Sequence, residues 1–219
     1  MKNSYRINMR FFCYLLLFTH LVFAQKRSSR AKELLDGVSK NIESFENITL
    51  NFRIQHISEN FEKFESEGTI ILKQNKYLLN FMESIQLFDG KKVYQIMDSE
   101  KEINISNHSH DNSSINPVNI FTLYKKGFET EMDIVQKVQK RLLQYIKLTP
   151  KKDINKEIDY ILLAIEKEKI IPYKIIQINK NKSKTTIEIT KFETNTELGK
   201  DTFSFDEKKY KDYFINRID

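Results

Sequence analysis

The sequence predicts an α+β protein, mainly β with short helices. Its strands number about 11 and form an incomplete, curved antiparallel β-barrel whose helices lie over an apolar concave face. Three observations point there. Period-two alternation runs through much of the chain. Strand-like runs follow one another closely, which favours hairpins over crossovers; Asp89-Gly90 between two β-rich runs is the strongest hairpin signal. Helical periodicity is confined to two short stretches.

The first 24 residues read as an export signal. Lys2, Arg6 and Arg10 form a positive start, Phe11 to Phe23 a mostly apolar run, and Val22 and Ala24 suit a cut ahead of Gln25. The run is shorter than the roughly 20 residues a spanning helix needs. Cys13 opens the apolar run, whereas a lipid-attachment cysteine would follow it. The expectation is a cleaved signal over 1–24 and a single domain over 25–219. The three signal cations account for half of the formal charge of +6. No basic block alternates with aromatics, so no nucleic-acid partner is expected. Cys13 is the chain's single cysteine, so the exported part has neither a disulfide framework nor a thiol nucleophile.

The elements follow in order. Ala31, Leu34, Leu35, Val38, Ile42 and Phe45 recur at helical spacing between Arg30 and Phe45. The period then changes to two, with Ile48, Leu50, Phe52 and Ile54 alternating with Thr49, Asn51, Arg53 and Gln55. From Gly68 to Ser106 a meander is expected, with strands near Thr69–Lys73, Lys76–Glu83, Ile85–Phe88, Val93–Asp98 and Glu102–Ile105. After a polar loop, Asn116 and Pro117 mark a helix start; Val118, Phe121 and Tyr124 share one of its faces, and Gly127 follows its end. Further strands are expected at Arg141–Thr149, Ile158–Lys167, Ile170–Asn179, Thr185–Phe192 and Thr202–Phe205, with Tyr210–Asp219 as a possible last one.

Two helices cannot cover both faces of so many strands. Alternation selects an inner face made of Leu50, Phe52, Ile54, Ile70, Leu72, Tyr77, Leu79, Phe81, Tyr94 and Ile96. Those residues either fill a close-packed core or line a cavity for a lipid-like ligand, and periodicity does not separate the two. Together with Val118, Phe121 and Tyr124 of the second helix, all but Tyr77 are the candidate lipid-binding residues.

Catalytic signals are weak. His108, His110 and Asp111 are the most enzyme-like cluster, but they lack a clear fourth ligand and sit among Ser and Asn residues of a solvated loop. His56 falls at a strand end. Neither a Ser nucleophile elbow nor a phosphate-binding Gly loop is present. No metal, no cofactor and no enzymatic activity are expected. A carrier and an exported sheet protein that binds another amphiphile or a protein partner stand as the two functional classes; an exported hydrolase ranks behind both.

The chain resembles the LolA-type periplasmic carriers of outer-membrane lipoproteins. The resemblance starts with the helix at Ala31, Leu34, Leu35 and Val38 and the strand ending at Ile54. It continues through Gly68 and the strand to Lys73, the Asp89-Gly90-Lys91 turn leading to Tyr94, and the Pro117 helix ending at Lys125-Lys126-Gly127. It closes with Tyr145-Ile146-Lys147-Leu148-Thr149-Pro150-Lys151. Many members carry an Arg-Pro pair and a further arginine after the Gly68 strand, where this chain has Lys73-Gln74-Asn75-Lys76-Tyr77. The lid-holding role of that arginine has no matching residue here. The resemblance implies an incomplete barrel with helices over an apolar cavity for acyl chains. It also implies a monomeric carrier in the periplasm of a Gram-negative-type bacterium. Its implied partners are acylated lipoproteins, an inner-membrane ATP-driven release complex and an outer-membrane acceptor.

Overall fold

In the computed structural model, which describes residues 27–107, 125, 127–151 and 156–218, the chain begins with a helix, α1, over 27–43. Ala31, Leu35 and Val38 are buried on one side of it, with Leu34 and Ile42 half-buried beside them. Lys32, Glu33, Asp36 and Lys40 face water, as the apolar stripe requires. Buried Asn47 pins the joint after the helix. Its Nδ2 donates to the Thr196 carbonyl at 2.9 Å, and its Oδ1 accepts from the Thr196 N–H and hydroxyl at 3.1 Å each.

Twelve strands follow: β1 Ile48–Ile57, β2 Lys63–Lys73, β3 Lys76–Phe81, β4 Ser84–Phe88, β5 Lys92–Met97 and β6 Glu102–Asn107, then β7 Phe128–Val138, β8 Arg141–Pro150, β9 Ile158–Glu166, β10 Ile171–Asn179, β11 Lys184–Thr194 and β12 Phe214–Ile218. They form one open, curved sheet in the order β12-β6-β5-β4-β3-β2-β1-β11-β10-β9-β8-β7. β1 lies inside the sheet between β2 and β11, so the two halves of the chain meet there.

Three strand expectations change. β7 was not expected. A bulge between Met132 and Val135 breaks its alternation and leaves Ile134 and Val135 exposed, which erases the sequence signal. Thr202–Phe205 is no strand: a turn starts there, with the Thr202 N–H and hydroxyl both donating to the Gly199 carbonyl. β12 pairs with β6 in parallel, against an otherwise antiparallel sheet. The segment between β11 and β12 makes the crossover such a pair needs. The predicted helix bearing Val118, Phe121 and Tyr124, and the loop with His108, His110 and Asp111, lie outside the described residues.

Directly paired residues share a face, so the register sorts the side chains. Under α1, one cluster joins Ala31, Leu35 and Val38 to Ile146, Leu148, Ile161 and Leu163. A second joins Leu50, Ile70, Leu72, Tyr77 and Phe88, with Ile42 and Phe45 packed against it. The opposite face has its own clusters: Leu143 with Tyr145 and Tyr173, and Ile96 with Ile103 and Ile105.

Candidate functional site

The helix-covered face is apolar over half of the sheet and polar at one end. One row across it runs Ile54–Ile187–Ile175–Leu163–Ile146–Met132 over six strands, apolar throughout. A second row starts as Phe192–Leu50–Ile70–Leu79 and continues as Gln86–Gln95–Asn104–Asn216. Within that amide ladder, Asn216 Nδ2 donates to Asn104 Oδ1 at 3.1 Å, and the Tyr77 hydroxyl donates to Gln86 Oε1 at 3.0 Å. Along this row the apolar floor ends at β3, whereas the neighbouring row Leu72–Tyr77–Phe88–Val93 carries it on to β5.

Gly68 shapes the edge of that floor. It lies directly between Phe52 and Phe81, whose rings approach to 5.7 Å across it. A Cβ at Gly68 would meet Phe52 Cζ at 2.5 Å, so only glycine lets the ring settle onto the strand. Here cover thins. Phe52, Ile54 and Phe81 are half-buried, and Phe64 and Met82 are 42% and 56% exposed. A cleft of about 510 Å³ meets this edge mainly from the opposite face, where Asn51, Glu67, Thr69, Asn80 and Ile85 line it, and touches Phe52, Gly68 and Phe81.

The opposite face is charged over the sheet centre. Glu67, Arg53, Glu188 and Lys174 form one row of alternating sign across four strands. Arg53 meets Glu67 at 2.8 Å and Lys174 meets Glu188 at 2.6 Å, while the Tyr173 hydroxyl donates to Glu188 at 3.1 Å. Burial pushes the Glu188 carboxyl up, but Lys174 and Tyr173 outweigh it and hold it below the usual range. The first two rows described on the helix side carry no ionisable group, which makes that side the candidate lipid-binding surface.

The expected residues separate into three groups. Leu50, Ile70 and Leu72 are buried in one cluster, with Phe52 and Leu79 packed against it and Ile54 and Phe81 on the same face. Tyr94 and Ile96 are on the other face, a correction to the expected inner face. Leu79 pairs with Gln86 and Gln86 with Gln95, so Gln95 shares the face of Leu79. Tyr94 and Ile96 instead pack with Phe205, Tyr210, Tyr213 and Ile215, and the Tyr94 ring stacks on Phe205 at 4.5 Å. The cause is β4, where Leu87 and Phe88 are both buried, one on each face; alternation had no polar side to read there. Val118, Phe121 and Tyr124 lie outside the described residues.

Sequence reasoning missed the contribution of β8 to β11. Ile146, Leu163, Ile175, Ile187 and Ile189 extend the apolar floor, and their signal was the alternation already visible in those strands. His56 Nδ1 sits 2.9 Å from the Thr185 hydroxyl of its cross-strand partner, a structural pairing at the strand end. Among the described residues, His, Cys, Asp and Glu side chains form no group of three or more able to hold a metal.

The model of the family described as outer membrane lipoprotein carrier protein LolA matches residues 82–206. The chain belongs to the LolA family. The matched stretch takes in β4 to β11, while α1 and β1 to β3 precede it. No curated protein matches the chain. Among solved structures, an uncharacterized conserved protein from Thermus thermophilus shares the fold. Its TM-score is 0.60 at 12% identity, over 86% of this chain and 99% of that one. A LolA superfamily protein from Nitrosomonas europaea has a TM-score of 0.44 at 11% identity, over 80% of this chain and 97% of that one. A putative outer membrane lipoprotein-sorting protein domain from Vibrio parahaemolyticus has 0.45 at 8% identity, over 81% and 97%.

Proposed function

We propose that this LolA-family chain is a non-enzymatic periplasmic carrier that binds the acyl chains of lipoproteins leaving the inner membrane and delivers them to the outer membrane. The observation that supports it is the apolar floor under α1, continuous from β7 to β3 and thinly covered around Phe52, Ile54, Phe64 and Phe81. Leu50, Phe52, Ile54, Ile70, Leu72, Leu79 and Phe81 would meet the chains. Each methylene taken out of water is worth about 0.8 kcal/mol, so an acylated protein strongly resists free transfer through water. Non-directional aliphatic contacts shield a chain without fixing its position, and exposed Met82 beside Phe81 adapts to variable chain paths.

Binding requires α1 to lift from clusters it now covers. A hydrocarbon chain would replace its apolar contacts, so the closed and loaded states have similar burial and handover needs no covalent step. An ATP-driven inner-membrane complex would load the carrier and an outer-membrane acceptor unload it, with the carrier working as a monomer.

The experiment is to purify the protein from an exporting host, identify what co-purifies by mass spectrometry, and add the stripped protein to inner-membrane vesicles bearing newly made lipoproteins. Bound acyl material and transfer of lipoprotein into the soluble fraction are expected. Absence of both would sink the carrier proposal.

A further inference from the structure

The sheet forks between β10 and β11. Their pairing runs from Ile178–Lys184 to Lys174–Glu188 and stops there. Beyond that level β10 continues to Ile171 along β9, and β11 continues to Thr194 along β1. Two irregularities face each other where the pairing ends. Pro172 has no N–H to give to a ladder, and Tyr173 is an extra residue between the paired Pro172 and Lys174. Across the gap, Thr190 is an extra residue between the paired Ile189 and Lys191. Bulges bend strands and end pairing, and these two open the sheet at one place.

The fork is a cleft of about 410 Å³ with two unlike walls. The inner wall is Phe45, Ile189 and Phe192, all part of the apolar cluster over Leu50 and Ile70. The outer wall carries Arg141 and Lys169 on either side of Glu166, whose side chain is only 8% exposed. Arg141 Nε and Lys169 Nζ stand 3.6 and 3.7 Å from the Glu166 oxygens, longer than a charge-assisted hydrogen bond. The charged residues lining the cleft are these two cations and one carboxylate, an excess of one positive charge. The wall is held in place. Asn41 Nδ2 donates to the Lys169 and Ile170 carbonyls at 3.0 and 3.2 Å, tying the β9–β10 turn to α1. Arg141 also lies 5.0 Å over the Tyr173 ring.

We infer that this fork binds an anionic amphiphile, with its charged oxygens on Arg141 and Lys169 and the first part of its chain on Phe45, Ile189 and Phe192. The site shares the apolar face of the proposed carrier, and it does not depend on the client being a lipoprotein. An alkyl phosphate and an alkyl carboxylate offer the same chemistry; they correspond to a phospholipid and to a free fatty acid.

Isothermal titration of the purified protein with dodecyl phosphate, laurate, dodecyl maltoside and inorganic phosphate tests it. Both anionic amphiphiles are expected to bind, and inorganic phosphate, lacking the chain, is not. Whichever anion binds more tightly assigns the head group to phosphate or carboxylate, and either result supports the site. Lys169→Gln should weaken the anions about tenfold, the worth of one charge-assisted bond, and Thr194→Glu on the cleft wall should weaken them by like-charge repulsion; both should leave dodecyl maltoside unchanged. Thr194→Glu keeps both ion pairs of Glu166, so it reads the cleft without removing their contribution to stability. Anion binding unchanged in both variants, or weakened equally with the maltoside, would overturn the inference. Lipoprotein release measured on the same variants separates the two proposals. Release without any fork effect sinks the fork alone, and a fork effect in a protein that neither holds nor releases lipoprotein sinks the carrier alone.

Discussion

Gly68 shows what one missing side chain does. Phe52 lies over it and reaches Phe81, so three strands share one aromatic contact. In Gly68→Ala the new Cβ would stand 2.5 Å from Phe52 Cζ and 2.9 Å from the Asn80 carbonyl oxygen. The ring can move but the backbone oxygen cannot move cheaply. A loss of about 1–3 kcal/mol is expected, as for other overpacked sites. Urea unfolding of Gly68→Ala, Phe52→Leu and the double variant measures it. If ring contact is the cause, the double variant loses less than the sum of the singles.

At the scale of the element, the β4–β5 turn was legible because its chemistry is local. Asp89 Oδ1 accepts the N–H groups of Lys91 and Lys92 at 2.7 and 2.8 Å, Oδ2 accepts the Tyr94 hydroxyl at 3.0 Å, and Gly90 takes φ +100°. Burial pushes the Asp89 carboxyl up, but the two N–H groups and Tyr94 outweigh it and hold the folded value below the ordinary one. Burial, then Asp89, pushes the Tyr94 phenol up to about 12, so it stays a donor at neutral pH. A carboxyl depressed on folding stabilises above its unfolded pKa of about 3.9, and that stabilisation is lost as pH falls through the folded value. Asp89→Ala should cost about 1–3 kcal/mol at neutral pH, and the gap to wild type should narrow below about pH 4. Urea curves at pH 7 and pH 3 check both statements; a gap that stays constant would remove the carboxylate from the explanation. α1 was legible for a similar reason, since Ala31, Leu35 and Val38 mark its buried stripe within a single stretch. β7 was not, because its bulge interrupts the period and an edge strand leaves Ile134 and Val135 in water.

Across the whole molecule, the two faces of the sheet exchange roles. On the helix side the row through Leu79 turns to Gln86, Gln95 and Asn104 while Phe88 and Val93 keep the neighbouring row apolar, and the other side turns apolar at Tyr94, Ile96, Ile103 and Ile105. The segment after β11 covers that second apolar patch with Phe205, Tyr210 and Tyr213. The proposed carrier surface is therefore specific to one side. Phe81→Glu should abolish acyl-chain binding, and Asn80→Glu, the next residue but on the opposite face and exposed, should leave it intact. Equal loss in both variants would place the bound chain elsewhere.

The sequence by itself determined the class of fold, the α1 stripe, the Asp89 turn and most of the strands, since all of these follow from near neighbours along the chain. It also marked the apolar side of β1 to β3, where one parity is more apolar throughout even though Ile71 and Leu78 blur the other. Tertiary structure alone decided which face Tyr94 and Ile96 join, because β4 is buried on both sides and carries no parity signal. It also decided the parallel pairing of β12 with β6 and the fork between β10 and β11. Each of these depends on segments that meet only after the chain has folded, and no local period records such a meeting.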